Sequence, residues 1–278
     1  MSKDLGHQPP LVPALGITFD TNTLDRVSRP ARFPKDSRQT EYLKIHEAIK
    51  TGRVEGFFCE TLVTLEGVQN KDRIAVFGGT RIRSEIRQAA PNAHQITLSP
   101  EQPDRQDLHP EQVSRIQAAL ALGIRVLKAP PRVGGIRLEH SDANVFLQDR
   151  DDANLAARLD RSTAAAEAME ARGLGQARAA SLSQQFANRA KTPNMSWLQG
   201  LSLARDIHEE NAVKRAIAEW ADGDSIAAHI GYGIDFFCSE DKGNGAGAAS
   251  VFDDTNRQWL STAYGVKFLT LTELATMI

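Results

Sequence analysis

Short apolar runs alternate with helical patterns along this chain, and that alternation constrains the fold more than any other feature of the sequence. Five runs have the length and apolar character of buried strands: LGITFD (15–20), VEGFFC (54–59), IRVLKA (124–129), IDFFCS (234–239) and GVKFLT (265–270). Helical patterns occupy segments 36–51, 60–68, 111–122, 151–172, 202–221, 224–231, 254–264 and 271–278. Because strands that alternate with helices usually form parallel sheets, we predict an α/β fold, an open parallel sheet with helices on both faces.

Most of the chain is predicted to form one domain. Residues 1–14 carry three prolines and little apolar periodicity, which indicates an N-terminal tail. Residues 15–278 contain all the predicted strands and helices. Segments 71–109 and 173–200 fit the alternation poorly, so we predict insertions in these two places.

Composition excludes several classes of protein. The 33 lysines and arginines nearly balance 35 acidic residues, for a formal charge of −2, which excludes strong general attraction to nucleic acid but not a local basic patch. Every apolar run is shorter than the ~20 residues that a membrane-spanning helix needs. The N-terminus MSKDLGHQPP has no apolar core typical of a secretory signal, and two cysteines cannot build a disulfide framework. The sequence therefore predicts a soluble cytoplasmic protein.

Four acids lie where a parallel sheet concentrates its chemistry, since ligands bind beyond the carboxyl ends of the strands. Asp20 closes the first predicted strand, Glu66 lies in the helix after the second, Asp224 begins the helix before IDFFCS, and Asp241 follows that strand. Clustered carboxylates repel one another unless a cation lies between them, and oxygen ligands favour Mg²⁺ or Mn²⁺ over Zn²⁺. Each acid also has a simpler explanation as a helix cap, a turn residue or a solvated side chain.

The order of these motifs resembles that of the PIN-domain nucleases. FDTNTL (19–24) resembles the opening motif of that family, and ETLVTLEGV (60–68) resembles its second motif, whose helix carries a glutamate. DSIAAHIGYGIDFFCSED (224–241) resembles the third and fourth acidic motifs, and GVKFLTLTEL (265–274) the last strand and helix. The agreement extends over roughly residues 15–278, apart from the two predicted insertions.

The resemblance implies hydrolysis of phosphodiester bonds, usually in RNA, by a water that a metal ion activates. It assigns the catalytic and metal-binding roles to Asp20, Glu66, Asp224 and Asp241, with Mg²⁺ or Mn²⁺ as the cofactor. Asn22 and Ser239 would orient the ligating carboxylates. The chain also departs from the family: it is about twice the minimal length, and Cys59 or Glu60 replaces the Ser or Thr that commonly opens the second motif. Two neighbouring acids, Asp222 and Glu240, could share or take over the roles of Asp224 and Asp241.

A basic segment follows the first motif and is a candidate for binding the substrate. Its cations recur every third residue: Arg26, Arg29, Arg32, Lys35 and Arg38. With Pro30 and Pro34 between them, a polyproline II segment would align all five along one edge, where they could contact phosphates. The alternative is a solvated loop whose cations pair with Asp25 and Asp36.

Other features of the sequence receive simpler interpretations. A second basic cluster, Lys71, Arg73, Arg81, Arg83 and Arg87, is interpreted as a solvated face. Phe33 and Trp197 could stack on bases, although lone aromatic residues are more often part of a core. GNGAGAA (243–249) contains a dinucleotide-binding pattern, but Glu240 and Asp241 would repel a pyrophosphate, so we interpret it as a flexible loop.

The sequence thus predicts a divalent-metal-dependent endoribonuclease. One alternative is a catalytically weak nucleic-acid or protein-binding module with the same fold, and another is a DNA nuclease. The expected partners are an RNA substrate, an antitoxin-like protein that covers the acidic crevice, and a second copy of the chain in a homodimer.

Overall fold

The computed structural model describes residues 14–101, 103, 107–132, 137–195, 198–243 and 250–278. The predicted N-terminal tail, except for its last residue, lies outside this part of the chain. Trp197 and segment 244–249 of the predicted glycine-rich loop lie outside it as well.

The described strands are β1 (Leu15–Phe19), β2 (Val54–Cys59), β3 (Arg81–Ala90), β4 (Ala93–Glu101), β5 (Arg125–Leu127), β6 (Phe236–Cys238) and β7 (Phe268–Leu269). Five of them form a parallel sheet in the order β5-β2-β1-β6-β7. Ile17 of β1 pairs with Gly56 of β2 on one side and with Phe236 of β6 on the other. The predicted α/β fold with an open parallel sheet is therefore confirmed.

The described α-helices are α1 (Thr21–Ser28), α2 (Gln39–Lys50), α3 (Thr61–Thr64), α4 (Arg73–Gly79), α5 (Pro110–Ala121), α6 (Asp152–Glu170), α7 (Gln176–Arg189), α8 (Ile207–Tyr232), α9 (Asp254–Tyr264) and α10 (Leu271–Met277). Short 3₁₀ helices occupy Pro30–Arg32, Ala143–Val145 and Gln199–Leu203. No helix in the described ranges has both the length and the apolar character required to span a membrane.

Both faces of the parallel sheet are covered by helices. Ile17 and Phe19 pack on one face with residues of α1, α2, α5 and α10. Phe237 packs on the other face with residues of α6, α8 and α9. On that second face the hydroxyl of Thr18 lies 2.9 Å from Nδ1 of His229, a buried residue of α8. Strands covered on both faces are apolar throughout, which explains why VEGFFC shows no strict alternation.

One long helix, α8, replaces the two helices predicted at 202–221 and 224–231. It runs for 26 residues without a break, so that it is about 39 Å long. Its first half packs against α4 and α7, and its second half packs on the sheet. Gly223 does not end a helix; it lies so close to Gly175 that a Cβ atom would come within 2.9 Å of the Gly175 Cα atom. The glycine therefore allows a close contact between α8 and the turn before α7.

The two predicted insertions contain elements outside the parallel sheet. Segment 71–109 forms α4 and an antiparallel hairpin of β3 and β4, in which Ile86 lies opposite Ile96. Both isoleucines are largely exposed, at 68% and 62%. Segment 173–200 contains α7, whose Phe186 packs with Trp220 of α8 in a separate helical core. These elements explain the poor fit to a strand–helix alternation.

Replacing Gly223 tests the close contact with Gly175. A glycine-to-alanine change inside a helix ordinarily stabilises a protein by up to about 1 kcal/mol. Here we expect Gly223→Ala to lower the free energy of unfolding by about 1–3 kcal/mol, because the added methyl group meets backbone. Urea denaturation would measure the change. A stabilised variant would contradict the close packing of α8 on this turn.

Candidate metal centre

Three carboxylates from distant parts of the chain meet at the carboxyl end of the sheet. Asp20 directly follows β1, Glu66 lies in the turn after α3, and Asp222 lies in α8. One oxygen of each side chain lies within 4.8 Å of the other two. The three line a cavity of about 460 Å³. Asp20 and Glu66 therefore come together as expected from their positions after neighbouring strands.

Asp20 is held rigidly by hydrogen bonds to both carboxylate oxygens. Oδ1 accepts from the backbone N–H of Thr21 at 2.7 Å. Oδ2 accepts from the Asn22 amide and from the Ser239 hydroxyl, both at 2.6 Å. Asp20 is only 7% exposed. Asn22 and Ser239 thus make the orienting contacts that the sequence assigned to them, and Asp20 also caps α1.

Asp241 lines the same cavity but stands outside the tight cluster. Its side chain is exposed, and its Oδ1 accepts from the backbone N–H of Gly243 at 2.7 Å. The neighbouring Glu240 is occupied elsewhere, since its Oε1 accepts from Arg38 at 2.9 Å and from the backbone N–H of Leu271 at 3.1 Å. Of these two adjacent acids, Asp241 is the one that faces the cavity.

Asp224 does not reach the cluster, and the structure corrects the prediction at this position. Its carboxylate accepts hydrogen bonds from the Arg132 guanidinium, with Nε at 2.9 and 3.0 Å, and from Trp220 Nε1 at 2.9 Å. Residues two apart on a helix lie about 200° apart around its axis. Because α8 is continuous, Asp222 faces the cavity and Asp224 faces the other way, into a smaller pocket. Asp222 thus takes the place that the sequence assigned to Asp224.

The carboxylates of the cluster hold their protons more tightly than usual. Burial raises the pKa of Glu66 to about 7, and the negative charge of Asp20 adds to the effect. Burial, followed by the charges of Asp20 and Glu66, raises the pKa of Asp222 well above its ordinary value. Burial also raises the pKa of Asp20. A divalent cation would relieve this repulsion, and an all-oxygen donor set fits Mg²⁺ or Mn²⁺. The residues present therefore fit the implied metal.

The turn that carries Glu66 is fixed by Arg73, which the sequence placed on a solvated face. Arg73 is only 8% exposed. Its guanidinium donates to the backbone oxygens of Val68 at 3.2 Å and Lys214 at 2.9 Å, and it lies 3.5 Å from the backbone oxygen of Glu66. These bonds connect the turn to α8, and the interpretation of Arg73 as a solvated residue is wrong. Arg81, Arg83 and Arg87 lie on the exposed hairpin strand β3.

The polyproline II segment predicted after the first motif is not present. Arg26 belongs to α1, which Asp20 caps, and Pro30–Arg32 form a 3₁₀ helix. The apolar side chains of Leu24 and Val27 are fully buried, so the helix continues past the point where the extended segment was expected to begin. The cations consequently do not share one edge, and of the five only Arg26 lines the described cavity.

Most of the remaining cations of this segment pair with nearby acids. Arg29 contacts Asp25 at 2.5 Å and Glu111 at 2.6 Å. Arg32 also pairs with Glu111, and Arg38 pairs with Glu240 at 2.9 Å. Lys35 is exposed in a turn. The alternative interpretation, in which these cations pair with acids, describes this region better. The acids are Asp25, as expected, and Glu111 and Glu240 in place of Asp36.

Two cavity residues have no clear signal in the sequence. Arg115 belongs to α5, which lies far in the sequence from every acidic motif, and it lines the same cavity as the acids. Asp222 was noted as a neighbour of Asp224, but which of the two acids faces the cavity depends on whether the helix breaks at Gly223.

Comparisons of the chain with protein-family models, with curated proteins and with solved structures found no match.

The raised pKa values predict that the metal-free protein loses stability as the pH rises. Glu66 has a folded-state pKa of about 7 against an ordinary value of 4.5, so the native state binds more protons than the unfolded state between these values. The free energy of unfolding therefore falls across this range. We expect Asp222→Asn to flatten the slope and to be more stable than the wild type at pH 8 by about 1 kcal/mol.

Thermal melts at pH 5 and pH 8 in EDTA would measure the difference. Burial also raises the pKa of Glu219 to about 7, and the charge of Glu219 helps to raise the pKa of Asp222, so part of the flattening comes from this pair. Equal slopes for the two proteins would show that Asp222 does not interact with the cluster.

Asp224→Asn should have the opposite effect on stability. It would leave the guanidinium of Arg132, a side chain only 13% exposed, without Asp224 and with Glu170 as its remaining acidic partner at 2.6 Å. A fully broken buried ion pair costs about 3–5 kcal/mol, and because Glu170 still pairs with Arg132 we expect a smaller loss, about 1–3 kcal/mol in the free energy of unfolding at pH 8. Asp224→Asn combined with Arg132→Met should recover part of the loss. An unchanged single variant would contradict the ion pair.

Proposed function

We propose that this protein is a divalent-metal-dependent nuclease whose substrate is RNA. The observation that carries the proposal is the meeting of Asp20, Glu66 and Asp222 within 4.8 Å in an open cavity that arginines also line. Acids alone would repel a polyanion. A cation held by the carboxylates, together with guanidinium groups opposite them, converts the cavity into a site for a phosphodiester.

The roles of the residues follow from their contacts. Mg²⁺ or Mn²⁺ bound there would lower the pKa of a bound water and neutralise charge on the reacting phosphate. Asp20, Glu66 and Asp222 would bind the ion, with Asn22 and Ser239 keeping Asp20 in position through Oδ2. Asp241, exposed at the same cavity, would accept a hydrogen bond from the attacking water.

RNA is favoured over DNA by the resemblance to PIN-domain nucleases, which also suggests an antitoxin-like protein over the cavity and a homodimer. We place the protein in the cytoplasm, a reducing compartment that suits its two free, buried cysteines, Cys59 and Cys238.

Substituting the clustered acids should abolish metal-dependent cleavage. We expect Asp20→Asn and Asp222→Asn to reduce cleavage of single-stranded RNA by at least about 100-fold, because each removes a charged ligand. Glu55→Gln is a matched control, since Glu55 is an exposed acid of β2 that pairs with Arg125. Circular dichroism would verify folding, and calorimetric titration with Mn²⁺ would measure ion binding.

The outcomes separate the proposal from its alternatives. Wild-type cleavage by both Asn variants would rule out this mechanism. A silent Mn²⁺ titration combined with RNA binding would favour a binding module. Cleavage of a DNA strand of the same sequence, with RNA left intact, would identify a DNA nuclease.

A further inference from the structure

Three guanidinium groups line the cavity that holds the carboxylate cluster. They belong to Arg26 of α1, Arg73 at the start of α4 and Arg115 of α5. The three differ in how their hydrogen-bond donors are used. That difference separates a residue that supports the fold from residues that are free to bind a ligand.

Arg73 directs three of its five N–H groups at the protein backbone. Its Nε and Nη1 atoms donate to backbone oxygens of Val68 and Lys214. Nη2 lies near the backbone oxygen of Glu66. Arg73 is therefore committed to positioning the Glu66 turn.

Arg115 has an unused donor at the cavity. Its Nε is buried and has no hydrogen-bond partner among the described residues. The Oδ2 atom of Asp25 lies 4.0 Å from this nitrogen, which is beyond hydrogen-bonding distance. The side chain lines the cavity and keeps 20% of its surface exposed, so a ligand can contact part of it although Nε itself is buried.

Arg26 is held in place beside the same cavity. Its guanidinium lies 5.5 Å from the ring centre of Phe33 and 6.0 Å from that of Tyr42. Nη1 donates to the backbone oxygen of Asn22 at 2.5 Å. Its Nε, like that of Arg115, has no acceptor in the part of the chain that the structure describes. The aromatic contacts fix the group before any ligand arrives.

We propose that Arg115 and Arg26 bind a backbone phosphate of a nucleic acid next to the phosphate that reacts at the carboxylate cluster. The planar fork of arginine matches phosphate oxygens, and two such groups face one cavity. The inference rests on the proposed nuclease function, since only a chain of phosphates would occupy the metal and the arginines together. It assigns to α5, which carries none of the acidic motifs, a direct part in holding the substrate.

The test is binding of a labelled single-stranded RNA 12-mer in Ca²⁺, a cation with oxygen ligands that would neutralise the carboxylate cluster, with gel electrophoresis to verify that the RNA stays intact. Arg115→Ala should weaken binding about 10-fold and reduce the slope of log affinity against log salt by about 0.7, the value for one phosphate contact with a single strand. The RNA affinity of Arg115→Lys should lie between those of the wild type and Arg115→Ala, because lysine keeps the positive charge but lacks the planar pair of N–H donors. Arg26→Ala should behave like Arg115→Ala.

Arg125→Ala is the control, because Arg125 is a partly exposed arginine of the edge strand β5, does not line the cavity and pairs with Glu55. The circular dichroism spectrum and melting temperature of Arg115→Ala should match the wild type, which would show that the fold is intact. If wild-type protein does not bind the 12-mer, or if both alanine variants bind it as the wild type does, the subsite does not exist.

Two further measurements show which of the proposals is wrong if the expected result is not obtained. If inorganic phosphate binds the wild type as tightly as the 12-mer does, and Arg115→Ala loses both equally, the site serves free phosphate and the nucleic-acid assignment is wrong. If Arg115→Ala weakens RNA binding while Asp20→Asn still cleaves RNA, the subsite stands and the proposed metal mechanism fails.

Discussion

Repulsion among three carboxylates is the interaction on which the rest of this site depends. Folding brings Asp20, Glu66 and Asp222 together and buries them, and burial is the largest cause of the raised pKa of each. The charges of neighbouring acids add to the rise. Ser239 at the end of β6 donates to Asp20 at the end of β1, so the pairing of these neighbouring strands fixes the first acid.

The helix α8 gives two nearby acids opposite environments. Asp222 lies among other carboxylates, whereas Asp224 accepts hydrogen bonds from Arg132 and Trp220. Burial raises the pKa of both carboxyl groups, but neighbouring acids add to the rise for Asp222, whereas Arg132 and Trp220 oppose it for Asp224. The same helix joins the helical core around Phe186 to the core beneath the sheet, so that the site lies where the two cores meet.

The sequence was sufficient to predict the parallel sheet and part of the carboxylate cluster. Buried strands leave apolar runs, and strand ends lie at one edge, which is why Asp20 and Glu66 could be predicted to meet. The break predicted between residues 221 and 224 was wrong, because Gly223 lies inside one continuous helix and packs closely on Gly175, a contact that only the folded structure shows. Arg115 could not be found, because its relation to the acids exists only after α5 has packed against α1.

An uninterrupted α8 also makes the geometry of the acids sensitive to events elsewhere in the molecule. Asp222 follows directly after a segment of α8 that packs against Phe77 of α4 and against α7. Asp20, in contrast, is anchored to the sheet by its hydrogen bond from Ser239. A displacement of α4 and α7 carried along α8 would therefore change the gap between the two carboxylates from a distance.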